Sequence, residues 1–257
     1  MESSKPTPPA GSKVSVVMPV FNERRFIEEV LRRVQSQEQT DEIVVVDDCS
    51  TDGTRELLQE FAARQQAGER TLAILKGAAA LDLSAIRFCF HEQNRGKGAA
   101  VRKGFAEATG DIFLIQDADL ELDPRNYPQL LAPILEGRAE VVYGSRFLGG
   151  SHRVHHFWHY WANAFLTFLS NLMTNLMLSD METGYKVFRR EVLQGILLRS
   201  DRFGFEPEIT AKIAKRKVRI YEVPITYDPR THDEGKKIRW RDGVAAIFQI
   251  LRYNLSD

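Results

Sequence analysis

Residues 111–121 read Asp-Ile-Phe-Leu-Ile-Gln-Asp-Ala-Asp-Leu-Glu. The apolar run at 112–115 predicts a buried strand, and the spacing of Asp117 and Asp119 places both side chains on one face of it. Two carboxylates held together resist ionisation unless a cation lies between them. Hard ions such as Mg²⁺ take oxygen ligands and leave positions open for phosphates. The stretch therefore indicates a metal-held diphosphate, while an isolated Asp-x-Asp triplet is also typical of turns and helix starts.

Strand and helix patterns alternate on both sides of this stretch. Strands are predicted at 14–20, 43–46, 86–90, 111–116 and 140–143, and helices at 25–37, 54–64, 97–108 and 126–135. Near-continuous apolar strands between amphipathic helices imply an α/β fold with a mostly parallel sheet covered on both faces.

Polar segments follow four of the predicted strands, at 19–23, 47–54, 93–98 and 117–121. Ligands of open α/β sheets bind beyond the carboxyl ends of the strands. We therefore expect these four loops to converge on one rim of the sheet.

The composition excludes several classes of protein. With 257 residues, one domain is the expectation, and 35 Lys and Arg against 35 Asp and Glu disfavour nucleic-acid binding. The two cysteines lack the spacing of a metal site and fit a reducing compartment. Residues 1–12 are rich in Ser, Pro and Gly and are predicted to form a flexible tail.

The ordered set of rim loops, together with Gly144-Ser145-Arg146-Phe147, resembles the family 2 glycosyltransferases of the GT-A fold. More narrowly, the chain resembles the polyprenyl-phosphate sugar synthases, which include dolichyl-phosphate mannose and glucose synthases. The resemblance spans about 15–253 and implies a Rossmann-like sheet flanked by helices, with amphipathic helices near the C-terminus. It also implies that one GT-A domain at 13–257 contains a nucleotide-sugar half, 13–150, and an acceptor and membrane-interface half, 151–257.

For the donor half, the resemblance implies that Pro19, Phe21 and Glu23 border the nucleotide and that Asp48 reads the base or the ribose. Carboxylates accept hydrogen bonds from ring N–H and hydroxyl groups, which suits these roles, and turn or cap chemistry is the alternative. Lys97 would contact the donor diphosphate at a helix N-terminus. The glycines beside Lys97 alternatively serve close helix packing.

The resemblance also implies that Asp117 and Asp119 form a metal-proximal pair for Mg²⁺ or Mn²⁺. Asp117 would border the nucleotide sugar as well, and Asp119 would be catalytic. Glu121 continues the two-residue spacing and would be a further ligand, directly or through water.

The second half carries the predicted acceptor features. Residues 156–178 contain no Asp, Glu, Lys or Arg, and a polar stripe on this predicted helix favours an orientation along a membrane interface over a span. A soluble core or dimer helix is the alternative. Residues 240–253 predict a basic amphipathic helix that docks on the core or on anionic lipid.

Basic side chains in this half are candidates for binding the acceptor phosphate. We predict Arg146, Lys186 and Lys236 in this role, and Arg146 as catalytic. Glu206 and Glu208 would touch the sugar or begin a helix.

The sequence thus predicts an inverting, metal-dependent transferase that moves mannose or glucose from a GDP- or UDP-linked donor to dolichyl or undecaprenyl phosphate. It would be cytoplasmic and peripheral, at the cytoplasmic face of the membrane. One alternative is a transferase for a glycan or soluble acceptor, with a base among Asp180, Glu206 and Glu208. Others are a nucleotide-binding module without turnover and a nucleotidyltransferase that releases pyrophosphate.

Overall fold

The computed structural model describes residues 11–73, 80–149, 157–202, 204–228 and 240–256. The strands are β1 (Val14–Val20), β2 (Glu42–Asp47), β3 (Thr71–Leu72), β4 (Leu81–Asp82), β5 (Ile86–Phe90), β6 (Ile112–Ile115), β7 (Val141–Ser145), β8 (Lys186–Arg189) and β9 (Ile220–Pro224). The helices are α1 (Ile27–Gln35), α2 (Thr54–Gln66), α3 (Lys97–Glu107), α4 (Tyr127–Leu135), α5 (Phe157–Thr174), α6 (Arg190–Leu193), α7 (Phe205–Lys215) and α8 (Trp240–Leu255).

Seven of these strands form one sheet in the order β5-β2-β1-β6-β8-β7-β9. Strands β1, β2, β5 and β6 pair in parallel, β7 pairs in parallel with β9, and β8 runs antiparallel to both of its neighbours. The prediction of a mostly parallel α/β sheet is confirmed.

The central strands are rich in valine and isoleucine because they are covered on both faces. β-Branched side chains pack well on a pleated surface, and β2 is buried from Ile43 to its end. One core joins the sheet to α1, α2 and α4. The opposite face carries α3 and then α7 and α8, with α5 packed against α7 and α8.

Several details differ from the predicted pattern. Helix α1 begins at Ile27 rather than residue 25, because the carbonyl of Glu23 accepts bonds from the N–H groups of Phe26 and Ile27 in a preceding turn. Between α2 and β5 lies the short antiparallel pair β3 and β4, for which the sequence predicted no strands. Strands β8 and β9 are short, and the sequence pattern did not reveal them.

Candidate active site

The loops after β1, β2, β5 and β6 lie at one edge of the sheet, as predicted, because these strands run parallel. The first two loops are bonded to each other. The N–H of Asn22 donates to Ser50 Oγ over 2.9 Å, and the N–H of Glu23 donates to Thr54 Oγ1 over 3.0 Å. Asn22 has a φ of 54°, a conformation that Asn tolerates better than most residues. These side chains therefore build the rim itself.

The residues predicted to border the nucleotide lie along the end of β1. Pro19 pairs with Val46 inside the strand, and Phe21 follows it, partly buried. Glu23 is buried at the start of the next turn. The structure thus brings the three together at the rim, and their contact with a nucleotide stays a prediction.

Asp48 is buried, and its carboxylate holds the loop after β5. Its Oδ1 accepts a bond from the N–H of Arg95 over 2.9 Å and lies 2.8 Å from His91 Nδ1, and its Oδ2 accepts from the N–H of Gly96 over 2.6 Å. A carboxylate offers about four acceptor positions, so these contacts use most of them. The structure adds a loop-holding role for Asp48, and its reading of a base or ribose stays a prediction.

The glycines around Lys97 serve close packing. A Cβ on Gly96 would lie 2.5 Å from the carbonyl oxygen of Asp201, and one on Gly98 would collide with that of Ser200. Gly96 also has a φ of 97°, which disfavours other residues. Close packing against 200–201 therefore explains these glycines. The side chain of Lys97 faces Asp117 of the acidic triplet.

Lys97 joins two carboxylates. Its Nζ lies 2.9 Å from Asp117 Oδ1 and 3.1 Å from Glu206 Oε1. Burial lowers the pKa of Lys97, but the charges of Asp117 and Glu206 outweigh burial and hold the pKa above its usual range. This amine stays positive at neutral pH and suits a diphosphate contact.

The other two predicted metal ligands each have a partner within the chain. Asp119 Oδ1 accepts a bond from the N–H of Glu121 over 3.0 Å, and Glu121 Oε2 accepts one from Tyr227 over 3.0 Å. Within the described residues, no three His, Cys, Asp or Glu side chains converge as a metal-holding group. The structure therefore does not gather Asp117, Asp119 and Glu121 into one cluster.

The donor atoms nevertheless fit Mg²⁺ or Mn²⁺. Asp117 and Asp119 are partly exposed at the sheet edge and offer the oxygen ligands that these ions prefer. Gly184 provides the space for Asp117, because a Cβ at this position would collide with Asp117 Oδ2. Lys97 is the present counter-charge of Asp117, so an ion would share that carboxylate with it.

Arg146 follows β7 and lies in a buried ion pair. Its Nε and Nη2 each lie 2.7 Å from Asp180, and its guanidinium stacks 5.2 Å from the ring centre of Tyr227 and 5.6 Å from that of Phe147. Burial lowers the pKa of Arg146, but Asp180 outweighs it and keeps the pKa above its usual range. The fixed plane suits recognition of a phosphate by the planar guanidinium.

The other predicted phosphate contacts are placed differently. Lys186 is 1% exposed and lies 5.1 Å from the ring centre of Tyr143. Burial, and then the nearby Lys97 charge, lower its pKa to about 8 against the pull of Glu206. The structure places Lys186 beneath the rim, so its contact with phosphate stays a prediction. Lys236 lies outside the described residues.

The three candidate bases differ in how well their oxygens are partnered. Asp180 is paired with Arg146, as described above. Glu208 accepts bonds from the N–H groups of Arg199 and Ser200 and from Lys212. Glu206 alone among the three has a buried oxygen, Oε2, without a hydrogen bond.

Helix α5 turns its polar stripe toward the protein. Asn163 Nδ2 donates to Asp180 Oδ1 over 3.2 Å, Thr167 Oγ1 accepts from the N–H of Met181 over 3.2 Å, and Asn171 Nδ2 donates to the carbonyl of Leu178 over 2.7 Å. The inward side of α5 is therefore attached to the segment that pairs with Arg146.

The outward side of α5 is apolar and exposed. Its exposed side chains are Phe157 (63%), Trp158 (80%), Tyr160 (42%), Trp161 (54%), Phe165 (55%), Phe168 (64%) and Leu172 (68%). Single exposed hydrophobic residues are ordinary, but such a contiguous set marks an interaction surface. We call these seven residues the outer face of α5.

Helix α8 docks on the core against α5 and α7. This is the first of the two predictions for this helix, docking on the core or on anionic lipid. Its Ile250 and Tyr253 are buried, and Phe248 and Leu255 are exposed. Among the described helices, none has both the length and the apolar character needed to span a bilayer.

Sequence reasoning missed three residues that shape the rim. His91 lies against Asp48, Tyr227 links Glu121 to the side of Arg146, and Glu222 accepts the N–H groups of Ser179 and Asp180. His91 and Tyr227 are polar residues close to the ends of strands, and this position could have marked them as site candidates. Glu222 lies inside β9 and had no such signal. Neither pairing can be read from local spacing, because the partners lie far apart in the chain.

Residues 15–197 match the family described as glycosyl transferase family 2, and the chain belongs to that family. The predicted resemblance to family 2 is thereby confirmed, and the sheet together with the solved structures described below confirms the GT-A fold.

Two named relatives give a narrower likeness. The chain is 30% identical over 248 residues to a dolichol-phosphate mannosyltransferase of Pyrococcus furiosus, covering 94% of this chain and 62% of that protein. It is 30% identical over 227 residues to an undecaprenyl-phosphate 4-deoxy-4-formamido-L-arabinose transferase of Pseudomonas savastanoi pv. phaseolicola, covering 87% of this chain and 60% of that protein. The chain thus spans about three-fifths of the length of these relatives.

Solved structures share the fold. Glucosyl-3-phosphoglycerate synthase from Mycobacterium tuberculosis, in complex with Mn²⁺, UDP and phosphoglyceric acid, superposes with a TM-score of 0.67 at 22% identity, covering 96% of this chain and 80% of that one. The same enzyme with Mg²⁺ and UDP gives a TM-score of 0.66 at 23% identity, covering 95% and 80%.

Proposed function

We propose that this chain transfers a hexose, mannose or glucose, from a nucleotide diphosphate sugar to a polyprenyl phosphate. The observation that carries the proposal is the attachment of α5 to the rim. Asn163 on the inward side of this helix lies 3.2 Å from Asp180, the carboxylate that holds Arg146, and the outer face of α5 is apolar. A phosphate-binding arginine beside an apolar surface suits an acceptor that is both phosphorylated and lipidic.

The donor occupies the other side of the rim in this proposal. Pro19, Phe21, Glu23 and Asp48 border the nucleotide, and Lys97 donates hydrogen bonds to the diphosphate. Asp117 and Asp119 hold Mg²⁺ or Mn²⁺, and Glu121, which is bonded to Tyr227, contributes through water. When bound, such an ion neutralises the charge that develops on the departing diphosphate. The oxygen chemistry of the two aspartates supports this assignment, as do the complexes of one enzyme of the same fold with Mn²⁺ or Mg²⁺ and UDP.

The acceptor phosphate lies against Arg146 and Lys236, with Lys186 adding positive charge from beneath. An ionised phosphate is already a nucleophile at neutral pH, so its attack on the anomeric carbon needs no general base. A single displacement inverts that carbon. Both Arg146 and Lys97 remain charged throughout the neutral range, which favours binding of the two anionic substrates.

The outer face of α5 meets the membrane in this proposal. Tryptophan and tyrosine near the start of α5 suit the headgroup region, and the phenylalanines that follow suit the acyl boundary. Two free cysteines, Cys49 and Cys89, are compatible with a reducing compartment, so we place the protein at the cytoplasmic face.

One experiment tests the donor and the reaction together. The purified protein is incubated with Mn²⁺, a short polyprenyl phosphate in detergent and, one at a time, UDP-glucose, GDP-mannose and other labelled nucleotide sugars. We expect one donor to give a lipid-extractable product that mild acid hydrolyses. Absence of any such product from the whole panel would overturn the proposal.

A second candidate is transfer to a hydroxyl of a soluble acceptor, with Glu206 as the base. The unpartnered Oε2 of Glu206 favours it. This candidate predicts label in a water-soluble product and activity that does not depend on lipid.

A further inference from the structure

Three buried oxygens, two at 182–183 and one at the start of α7, make no hydrogen bond within the described structure. They are Oε1 of Glu182, Oγ1 of Thr183 and Oε2 of Glu206. Thr183 is fully buried and Glu206 is 4% exposed, while Glu182 is partly exposed as a residue with its Oε1 buried. Buried polar atoms are nearly always partnered in folded proteins, so these unpartnered oxygens require an explanation.

These oxygens lie next to the proposed diphosphate position. The other oxygen of Glu206, Oε1, lies 3.1 Å from Lys97 Nζ, and the same amine lies 2.9 Å from Asp117. Glu182 and Thr183 directly precede Gly184, and a Cβ on Gly184 would collide with Asp117 Oδ2, so this segment lies beside Asp117. Lys97 thus lies between Glu206 and Asp117, at the edge where the donor phosphates would bind.

The chemistry of the cluster selects a class of ligand. Lys97 lies between Asp117 and Glu206, so its charge opposes a second metal ion at Glu206, and the carboxylates oppose a second anion. A neutral ligand with several hydroxyl groups fits both, because each hydroxyl donates to a carboxylate and accepts from an amine. We infer that Glu182, Thr183 and Glu206 bind the hydroxyl groups of the transferred sugar and thereby select the donor.

This inference rests on the proposed function, since it needs the donor at Asp117. It also assigns different roles to Glu206 and Glu208. Glu208 lies two residues beyond Glu206 on α7, but its carboxylate is fully engaged by Arg199, Ser200 and Lys212. Glu208 therefore holds the fold, and only Glu206 remains for the ligand.

The test compares how tightly the full chain binds a nucleoside diphosphate and the matching nucleotide sugar, by calorimetric titration with Mn²⁺ present. UDP with UDP-glucose and GDP with GDP-mannose are the probes. The measured quantity is the Kd of the diphosphate divided by the Kd of the nucleotide sugar. This ratio cancels any change that a variant causes in Lys97.

We expect Glu182→Gln and Glu206→Gln each to lower this ratio about tenfold, because each change removes a hydrogen bond to a buried carboxyl group. Glu208→Gln is the matched control and should leave the ratio within about twofold of the wild type, since its carboxylate does not face the ligand. An unchanged ratio in the first two variants, or an equal drop in the control, overturns the inference. A normal ratio with a lower kcat for Glu206→Gln would instead show the base of a soluble-acceptor reaction and also overturns it.

A second measurement covers variants that fail to fold. Wild-type protein is titrated with donors that lack one sugar hydroxyl at a time. At least one deoxy donor should bind about tenfold more weakly than the parent, and equal affinities across the series would overturn the inference. If the wild type binds neither UDP nor GDP, the proposed function fails, which is a different result from diphosphate binding without sugar discrimination.

Discussion

Helices α1 and α5 both cover the molecule, but they differ in the side chains that they leave exposed. Helix α1 buries Ile27, Val30, Leu31 and Val34, while its charged residues form ion pairs in solvent. Helix α5 buries Thr167 and Ser170 and exposes Phe165, Phe168 and Leu172. The first is the arrangement of a helix in water. The second leaves large apolar side chains outside, which is unusual for a helix that faces water alone.

The largest expected loss of stability comes from Asp180, which pairs with Arg146 and accepts a hydrogen bond from Asn163 on α5. Asp180→Ala leaves the guanidinium of Arg146 buried without its counter-charge, which costs about 3–5 kcal/mol for a broken buried pair. Urea unfolding at pH 7 measures this loss. A loss below about 1 kcal/mol would show that the ion pair does not secure this half.

The same pair makes stability depend on pH. Burial raises the pKa of Asp180, but Arg146 outweighs burial and sets the pKa below its ordinary 3.8. The stabilisation from the pair is therefore fully present above that pH and is lost as the pH falls through the lower, folded-state pKa. The difference between the wild type and Asp180→Ala should shrink below about pH 4, and a constant difference would contradict this cause.

The rim of the sheet gives the next effect, on activity rather than stability. Asp119→Ala removes a carboxylate from the proposed metal-bound diphosphate and should lower kcat/KM about 10²–10³-fold, the size seen when an electrostatic stabiliser is lost. The free energy of unfolding should change by less than about 1 kcal/mol, since Asp119 is partly exposed. Near-normal kcat/KM would remove Asp119 from the mechanism.

The proposed membrane contact of the outer face of α5 is tested by replacing apolar side chains there with polar ones, like those that α1 exposes. The triple variant Phe165→Gln, Phe168→Gln and Leu172→Gln should bind anionic vesicles about 10–100-fold more weakly, because three apolar side chains no longer leave water. Vesicle co-sedimentation measures this change. The control, Thr167→Val on the buried side, should bind vesicles like the wild type, and equal loss in both variants would refute the assignment of faces.

The smallest effect lies on α1. A hydrogen bond from Arg32 is the main cause that lowers the pKa of Glu29 to about 2, and Arg33 assists. Because this pair is in solvent, Glu29→Gln should cost only about 0.3–0.5 kcal/mol at pH 7. The cost is present above pH 4.5 and disappears as the pH falls toward about 2. Thermal unfolding at pH 7 and pH 3 measures it, and a loss above about 2 kcal/mol would contradict a solvent-exposed pair.

The sequence predicted what periodicity and strand-end chemistry determine. Strands β1 and β5 have the predicted bounds, and the rim loops converge because parallel strands end at one edge. The polar stripe of α5 could also be predicted from the sequence. The sequence did not show that this stripe faces the protein, because that depends on hydrogen bonds to Asp180, Met181 and Leu178 in the folded chain.

Long-range pairings within the site escaped prediction for the same reason. Glu121 and Tyr227 are 106 residues apart, and Asp48 and His91 are 43 apart. The metal triad expected from the spacing of Asp117, Asp119 and Glu121 assumed that the chain stays extended. In the structure it bends at once, because Asp119 accepts the N–H of Glu121.

A competition between acceptors tests the central claim most directly. The protein is given one labelled nucleotide sugar and Mn²⁺, together with equal amounts of a polyprenyl phosphate in detergent and 3-phosphoglycerate in solution. We predict that the label enters the lipid phase as an acid-labile product and that 3-phosphoglycerate receives none. Label found in the water-soluble product, with none in lipid, would contradict the account.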